Sequence, residues 1–270
     1  MIEEILPPGT VAADTAGEHP PELLFAGERA LIRDAVEERR REFATVRVCA
    51  HRALAALGRA AEPVLTGRRG EPLWPAGTVG SLTHCEGYRG AALASADRWR
   101  SLGIDAEPHL PLPPGVTRGI ASAAERERLR ELARRHPGTR WDRLLFSAKE
   151  SLFKAWSPLT RRALDFDSAE LVLDPAARTF TARLRIPGPV LDGRAATELT
   201  GRWTVTDGLL LTAVAVPGPR TASAGPRTAS AGAHPASSGD RPAPPEHRPA
   251  PPAARPAPSG AVRAPGQNRS

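Results

Sequence analysis

The sequence has little lysine, few cysteines and no long apolar run. The shortage of cysteines and the lack of an apolar run each exclude a class of protein. Only two of the 37 lysines and arginines are lysines, Lys149 and Lys154, and both lie in one short segment. The two cysteines, Cys49 and Cys85, provide neither a disulfide framework nor metal-ligand spacing, which is typical of a reducing cytoplasm. No stretch approaches the roughly 20 apolar residues of a membrane span. The acidic, proline-broken start MIEEILPPGT does not resemble a signal peptide. We expect a soluble cytoplasmic protein with no membrane partner.

The last fifth of the chain differs in composition from the rest. Residues 218–270 are rich in proline, alanine and arginine, contain a tandem GPRTASA repeat, and have no leucine, isoleucine or aromatic residue. Such a segment cannot bury enough apolar surface to offset the entropy of ordering it, so we predict a disordered tail. Its seven arginines against Asp240 and Glu246 give +5 of the net charge of +7, which leaves +2 (7 minus 5) for residues 1–217. The net positive charge of the chain is therefore weak evidence for a nucleic-acid partner, and we expect no specific nucleic acid.

The remaining sequence predicts interleaved helices and short strands. Helical spacing, together with a capping box opened by Ser122, predicts helices over residues 28–57, 122–136 and 141–156. Shorter β-forming runs predict strands over residues 64–66, 79–83, 90–96, 102–107, 170–173, 179–186 and 202–216. Asp207-Gly208 divides the last run as a hairpin signal, residues 67–70 form a turn, and a proline-rich loop precedes Ser122. This pattern favours an α+β fold with antiparallel pairing.

Both lysines flank Glu150 on the helix predicted over residues 141–156. At about 100° per residue, Lys154 lies about 40° around the helix from Glu150, and Leu145 and Leu152 point away from both. Glu150 and Lys154 are therefore either a surface ion pair worth a few tenths of a kcal/mol or part of a shared functional face. Lys149 lies about a quarter turn from this face, so it serves a different role, either a contact that supports a ligand or a solvated charge.

Two strand ends carry further candidates. Asp105 and Glu107 are two apart on a strand and so share a side, and paired carboxylates suit a hard cation such as Mg²⁺. The alternative is a solvated strand end. His84 ends a run of small residues, where it either donates to a phosphate or is a satisfied core residue. Taken together, the carboxylates, the histidine, Lys154 and an arginine-rich helix suit phosphoryl chemistry on a polyanionic ligand. No Walker loop, dinucleotide loop or nucleophile elbow is present, which argues against an ordinary kinase or NTPase.

These motifs resemble those of one enzyme family. The segments VGSLTH (79–84), GIDAE (103–107) and FSAKESLFK (146–154) are similar, in order and spacing, to the signatures of the 4'-phosphopantetheinyl transferases of the Sfp/EntD type. RRREFATVR (39–47) and RGEP (69–72) resemble the actinobacterial branch, and the similarity covers most of residues 28–216. The resemblance implies a monomeric pseudo-dimer of two similar α/β halves, with coenzyme A and Mg²⁺ (Mn²⁺ as an alternative) in the cleft between them. We place the halves at residues 1–102 and 103–217, followed by the tail.

The resemblance also implies roles for individual residues. The metal would be held by Asp105, Glu107 and Glu150. The phosphates of coenzyme A would lie near Asp105 and Glu150 and contact Thr83, His84 and Lys154. The adenosine 3'-phosphate region would be held by Arg39, Arg47, Thr66, Gly67, Arg68 and Arg69.

The implied reaction transfers 4'-phosphopantetheine from coenzyme A to a serine of an acyl or peptidyl carrier protein and releases adenosine 3',5'-bisphosphate. It would serve fatty acid, polyketide or nonribosomal peptide biosynthesis. Glu150, directly or through a metal-bound water near Glu107, would take the serine proton, and Lys154 would neutralise the leaving phosphate. Two alternatives stay open: a Mg²⁺-dependent hydrolase of coenzyme A or another nucleotide pyrophosphate, and an anionic-ligand or nucleic-acid binder that acts through the arginine-rich tail.

Overall fold

The computed structural model describes residues 1–219, which form five α-helices and twelve β-strands. The predicted disordered tail lies outside the described residues except for Gly218 and Pro219. The helices are α1 (Ala26–Leu31), α2 (Glu37–Ala56), α3 (Val116–Ile120), α4 (Ala123–Arg135) and α5 (Trp141–Thr160). The strands are β1 (Thr10–Thr15), β2 (Leu65–Thr66), β3 (Pro72–Leu73), β4 (Thr78–Cys85), β5 (Tyr88–Ser95), β6 (Trp99–Pro108), β7 (Ala169–Asp174), β8 (Thr179–Leu184), β9 (Val190–Leu191), β10 (Arg194–Ala195), β11 (Glu198–Thr206) and β12 (Leu209–Pro217). Short 3₁₀ turns span Ile2–Ile5 and Pro21–Leu23.

The N-terminal part packs α2 on a small antiparallel sheet of order β1-β5-β4. The helix is 20 residues long and buries small and apolar side chains, among them Cys49, Ala50, Ala53 and Leu54, against Leu93 and its neighbours on the sheet. Its polar side chains lie mostly at the first turns, because the sequence there is almost continuously charged. The α2 N-terminal half therefore carries charge to one end of β4 and β5.

The C-terminal part packs α5, also 20 residues long, on a five-stranded antiparallel sheet of order β6-β12-β11-β8-β7. Small residues let the helix approach the sheet closely. A Cβ added at Gly103 of β6 would lie 2.0 Å from the carbonyl oxygen of Ser151 on α5. Hydroxyls fix the same contact, since Thr212 Oγ1 donates to the Ser147 carbonyl at 2.9 Å and Ser101 Oγ donates to the Ala155 carbonyl at 2.8 Å. The position of α5 on β6 is thus set by backbone contact.

The two sheets meet where β4 lies beside β6. Within residues 1–219 no backbone ladder joins these strands, because β4 and β6 are edges of separate sheets. Two hydroxyls of β4 instead accept the outward N–H groups of β6: Ser81 Oγ accepts from Ile104 at 3.0 Å, and Thr83 Oγ1 accepts from Ala106 at 2.9 Å. All four residues are fully or almost fully buried. We call this contact the hydroxyl seam.

The predicted fold class is confirmed as α+β, and most elements lie where the sequence predicts them. The prediction of one helix over residues 28–57 is wrong, because the chain breaks after α1 and restarts at Glu37. Strand β1 and helix α3 were not predicted, and α5 runs four residues past Trp156 to an αL C-cap at Arg161. The Ser122 capping box is confirmed, with Glu125 N donating to Ser122 Oγ and Ser122 N to Glu125 Oε2. Among the described helices, none combines the length and apolarity that a membrane crossing requires.

Candidate active site beside the hydroxyl seam

Asp105 and Lys154 lie together at the centre of the candidate site. Because β6 packs on α5, Lys154 Nζ reaches Asp105 Oδ1 at 2.7 Å and the Ile104 carbonyl at 3.0 Å. Thr83, across the seam, also approaches Asp105 Oδ1, at 3.5 Å. Asp105 is 6% exposed, and its second oxygen, Oδ2, is buried without a hydrogen-bond partner in the described part of the chain. A buried carboxylate oxygen without a partner is costly, so this atom is available to a ligand.

Glu107 and Glu150 complete a cluster of three carboxylates. Burial raises the pKa of Glu150, as do Asp105 and Glu107, while Lys154 lowers it. Burial and Asp105 likewise raise the pKa of Glu107, although Arg143 Nη1 donates to Glu107 Oε2 at 2.7 Å. Like charges raise a carboxyl pKa when too little positive charge lies nearby. The cluster therefore favours an additional cation.

His84 lies on the surface and not in the core. Its side chain is 43% exposed, and its Nε2 lies 2.9 Å from Glu42 Oε1 on α2. Glu42 Oε2 also accepts from Arg39 Nη1. Burial lowers the pKa of His84, Glu42 raises it, and Arg39, Lys154 and Arg89 lower it. The interpretation of His84 as a satisfied core residue is wrong.

Arg47 fixes the strand that leads into the predicted Thr66–Arg69 turn. Its guanidinium is almost fully buried: Nε donates to the Val64 carbonyl at 2.7 Å and Nη2 to Thr66 Oγ1 at 3.1 Å. Burial lowers the pKa of Arg47 to about 10. The Val64 N–H donates to Glu28 Oε1 at 2.8 Å, so both backbone polar groups of Val64 are bonded to charged side chains. Arg47 also lies over the Phe43 ring at 4.4 Å.

The turn itself is more exposed. Gly67 lies against the Glu71 carboxylate, since an added Cβ would be 2.3 Å from Glu71 Oε1. Arg68 is exposed and Arg69 donates to the Arg161 carbonyl, which follows α5. The structure therefore brings the turn to the end of α5, whereas Asp105, Glu107, Glu150, Lys154, Thr83 and His84 gather at the seam.

The lysines that flank Glu150 have different surroundings. Lys154 pairs with Asp105, and no ion pair between Lys154 and Glu150 exists in residues 1–219, so the surface-pair interpretation is wrong. Lys149 is 4% exposed and donates to Glu125, which excludes a solvated charge.

Three charged residues at the site were not predicted: Glu42, Arg89 and Arg143. Glu42 is one helical turn from Arg39, and Arg143 is two turns before Glu150, so helical spacing carried a signal for both. Arg89 pairs in register with His84 across a hairpin closed by Glu86-Gly87, a turn that the sequence analysis did not use.

No group of three or more His, Cys, Asp or Glu side chains in the described residues is assembled to hold a metal ion. Lys154 and Arg143 engage one oxygen each of Asp105 and Glu107. Asp105 Oδ2 is buried and has no hydrogen-bond partner in residues 1–219, and the pKa values of Glu107 and Glu150 are raised. Both observations nevertheless fit a site for a hard cation, which binds carboxylate oxygens.

Comparison with known sequences defines the class of protein. A family model of the 4'-phosphopantetheinyl transferase N-terminal domain matches residues 27–94, and one of the 4'-phosphopantetheinyl transferase superfamily matches residues 101–205. The chain belongs to the 4'-phosphopantetheinyl transferase superfamily, which confirms the predicted family and enzyme class.

Individual relatives support the same assignment. The chain is 55% identical over 222 residues to the 4'-phosphopantetheinyl transferase Svp of Streptomyces mobaraensis, which covers 81% of this chain and 90% of Svp. It is 47% identical over 226 residues to the 4'-phosphopantetheinyl transferase PptT of Mycobacterium tuberculosis, covering 80% and 98% of the two chains. Similarity to enterobactin synthase component D of Salmonella typhimurium is lower, at 32% over 222 residues, 78% of this chain and 88% of the relative. These matches agree with the predicted Sfp/EntD type and actinobacterial branch.

Proposed function

We propose that this enzyme transfers the 4'-phosphopantetheine group of coenzyme A to a serine hydroxyl of acyl or peptidyl carrier proteins and releases adenosine 3',5'-bisphosphate. Family membership supports the reaction type. The observation that carries the site assignment is the cluster of buried Asp105 with half-buried Glu107 and Glu150 beside Lys154, in which Asp105 Oδ2 has no hydrogen-bond partner in residues 1–219. This cluster would provide a cation site and a base at one place.

Asp105, Glu107 and Glu150 would hold Mg²⁺. When bound, the ion supplies positive charge to the phosphate oxygens and offsets the repulsion among the three carboxylates. We keep Mn²⁺ as an alternative, because both ions bind oxygen ligands.

Glu150 is the proposed acceptor of the serine proton, directly or through a water beside Glu107. A base is most effective when its pKa lies near the working pH, and burial with two carboxylate neighbours shifts the pKa of Glu150 in that direction. Lys154 would neutralise charge on the leaving phosphate, because its ammonium already lies at the anionic cluster.

The coenzyme would lie between the two halves of the chain, residues 1–102 and 103–217. Thr83, His84, Arg39, Arg47 and the turn of Thr66, Gly67, Arg68 and Arg69 would contribute from the N-terminal half, while Asp105, Glu107, Glu150 and Lys154 come from the C-terminal half. We propose a monomer, since one chain supplies both sides of this site. The reducing cytoplasm stays the expected location, in keeping with the two free cysteines.

Intact-protein mass spectrometry tests the function. A purified acyl or peptidyl carrier protein, incubated with this enzyme, coenzyme A and Mg²⁺, is expected to gain one phosphopantetheine mass at its serine. The matched controls are a carrier protein in which that serine is replaced by alanine and the enzyme variant Asp105→Asn. An unchanged carrier mass with release of free phosphopantetheine would identify a hydrolase instead, and Asp105→Asn with wild-type turnover would contradict the cation site.

A further inference from the structure

His84 and Arg89 lie opposite each other at the end of the N-terminal sheet. They form a register pair between β4 and β5, so their side chains project from the same face. Directly opposed residues on paired strands have Cβ atoms about 5 Å apart. Helix α2 covers this face and brings Glu42 and Arg39 to the same place. Four charged or ionisable side chains therefore converge here.

Glu42 makes contacts that an anionic ligand would make. One carboxylate oxygen lies 2.9 Å from His84 Nε2, and the other accepts from Arg39 Nη1. A phosphate presents its oxygens to cationic donors in the same way. The Glu42 side chain is 25% exposed, so water and solutes reach it.

Arg89, in contrast, has no anionic partner among residues 1–219. Its Nε is buried without a hydrogen-bond acceptor, and within residues 1–219 its guanidinium forms no ion pair. The neighbouring arginines differ, since Arg39 pairs with Glu42 and Arg47 donates to backbone and hydroxyl oxygens. A buried donor without an acceptor is costly, and a ligand oxygen would remove that cost.

The charges at this end of the sheet do not balance. Burial lowers the pKa of His84, Arg39 and Arg89 lower it further, and the opposing carboxylate is that of Glu42. A second anion is therefore favoured electrostatically, and a dianionic phosphate would satisfy Arg89 where the single carboxylate of Glu42 does not.

We propose that Arg89 is a phosphate-binding residue of the donor site, and that Glu42 occupies the phosphate position between His84 and Arg39 until the ligand displaces it. The group that would bind is a phosphate monoester or a pyrophosphate, and coenzyme A contains both groups. This inference rests on the proposed function for the identity of the donor.

The proposal predicts opposite effects for two variants. Arg89→Gln removes a charged donor and is expected to weaken binding of coenzyme A about 10- to 100-fold. Glu42→Gln keeps the size of the side chain but removes the competing charge, and is expected to strengthen binding about 3- to 10-fold. Arg52→Gln and Glu38→Gln are matched controls, because both residues are exposed on α2 and form no ion pair in the described residues; both should bind as wild type does.

Calorimetric titration of the full chain in EDTA, with coenzyme A, dephospho-coenzyme A and adenosine 3',5'-bisphosphate, measures these effects without turnover. Arg89→Lys serves as a second variant, with melting curves as the check on folding. A loss in Arg89→Gln that disappears with dephospho-coenzyme A assigns the 3'-phosphate, and a loss that persists assigns the pyrophosphate; either supports the proposal. Wild-type affinity in folded Arg89→Gln would overturn it. Weaker binding in Glu42→Gln would overturn the displacement by showing that Glu42 positions His84 and Arg39.

Inorganic phosphate separates this inference from the proposed function. If the wild type binds none of the three nucleotides, the assignment of coenzyme A as donor fails. Phosphorus NMR then tests whether Arg89 contributes to the binding of added inorganic phosphate. Phosphate binding by the wild type that is lost in Arg89→Gln would still support the anion site, and no phosphate binding by the wild type would refute it.

Discussion

Lys149 and Lys154 lie five positions apart on α5, and their surroundings differ: Lys149 is buried, whereas Lys154 is partly exposed. Lys149 Nζ donates to Glu125 Oε2 at 3.0 Å and to the carbonyls of Ile120 and Phe166 at 2.7 and 2.6 Å. An ammonium has three donors, and all three are used there. Lys154 is 28% exposed and directs its ammonium to the Asp105 carboxylate. One lysine therefore supports the packing of α5, and the other lies at the candidate active site.

Replacing Lys154 by arginine is expected to lower turnover about 100-fold while the protein stays folded. The guanidinium is planar and longer, so it cannot reproduce the ammonium position between Asp105 and the Ile104 carbonyl. Steady-state kinetics at saturating coenzyme A and carrier protein measure the loss, and a melting curve checks folding. Unchanged kcat would rule out the proposed role of Lys154.

Removing Lys149 is expected to reduce stability. Lys149→Met leaves the Glu125 carboxylate buried without its cation, which costs about 3–5 kcal/mol. Denaturant unfolding measures the change, and the double variant with Glu125→Gln should recover part of it. The control Glu127→Gln, in an exposed helix pair with Arg130, should change stability by less than about 1 kcal/mol. A Lys149→Met protein as stable as the wild type would contradict the structural role.

The sequence alone predicted most of the residues that form the candidate site, but it did not predict all of their hydrogen-bond and ion-pair partners. Asp105, Glu107, Glu150 and Lys154 follow from strand and helix periodicity together with the family resemblance. The sequence did not predict the bond between Glu42 and His84, because it joins a helix to a strand 42 positions away. Such contacts depend on how α2 packs on the sheet, and periodicity carries no information about that.

At the scale of elements, the contact between β6 and α5 requires glycine at position 103. Gly103→Ala would place a Cβ 2.0 Å from the Ser151 carbonyl and 2.5 Å from the Ala155 nitrogen, both of them backbone atoms. We expect a loss of about 1–3 kcal/mol in unfolding free energy and reduced activity, because the shift displaces Asp105 from Lys154. Thermal and denaturant unfolding measure the loss of stability.

Gly119→Ala is the matched control for that substitution. Gly119 lies in α3, and an added Cβ would meet no atom of the described part of the chain within 4 Å. Alanine favours helix over glycine by about 1 kcal/mol, so this variant should be as stable as the wild type or slightly more so. Equal stability of the two variants would show that β6 and α5 are not in backbone contact.

The elements that the sequence did not predict depend on tertiary contacts. β1 reads TVAADT, follows two prolines and a glycine, and lacks a clear alternation of apolar and polar residues. It becomes a strand through antiparallel pairing with β5, from Thr10 opposite Ala94 to Thr15 opposite Arg89. The long strands and α4, by contrast, carry local signals in turns and caps.

For the whole molecule, the arginine-rich tail is expected to be dispensable for catalysis. Every residue of the candidate site lies before Arg161, whereas residues 220–270 carry +5 of the net charge of +7. Deleting residues 220–270 keeps the bond from Gly218 N to the Arg98 carbonyl and should leave kcat within about twofold of wild type. The same deletion should lower the salt concentration needed to elute the protein from heparin.

Kinetics and heparin elution of the truncated chain decide this prediction. Lost transferase activity at every salt concentration would contradict it, and so would unchanged elution.

The hydroxyl seam has a consequence for how reliably the site forms. A backbone ladder fixes the alignment of two strands through many repeated bonds, but here the alignment of β4 with β6 depends on Ser81 and Thr83. Sliding one strand by a single residue would move His84 about 3.3 Å along β6. Reacting groups must meet within about 3–3.5 Å, so such a slip would separate the phosphate-binding side from the carboxylates. Two small hydroxyl side chains thus set the alignment of the strands that carry His84 and the carboxylates.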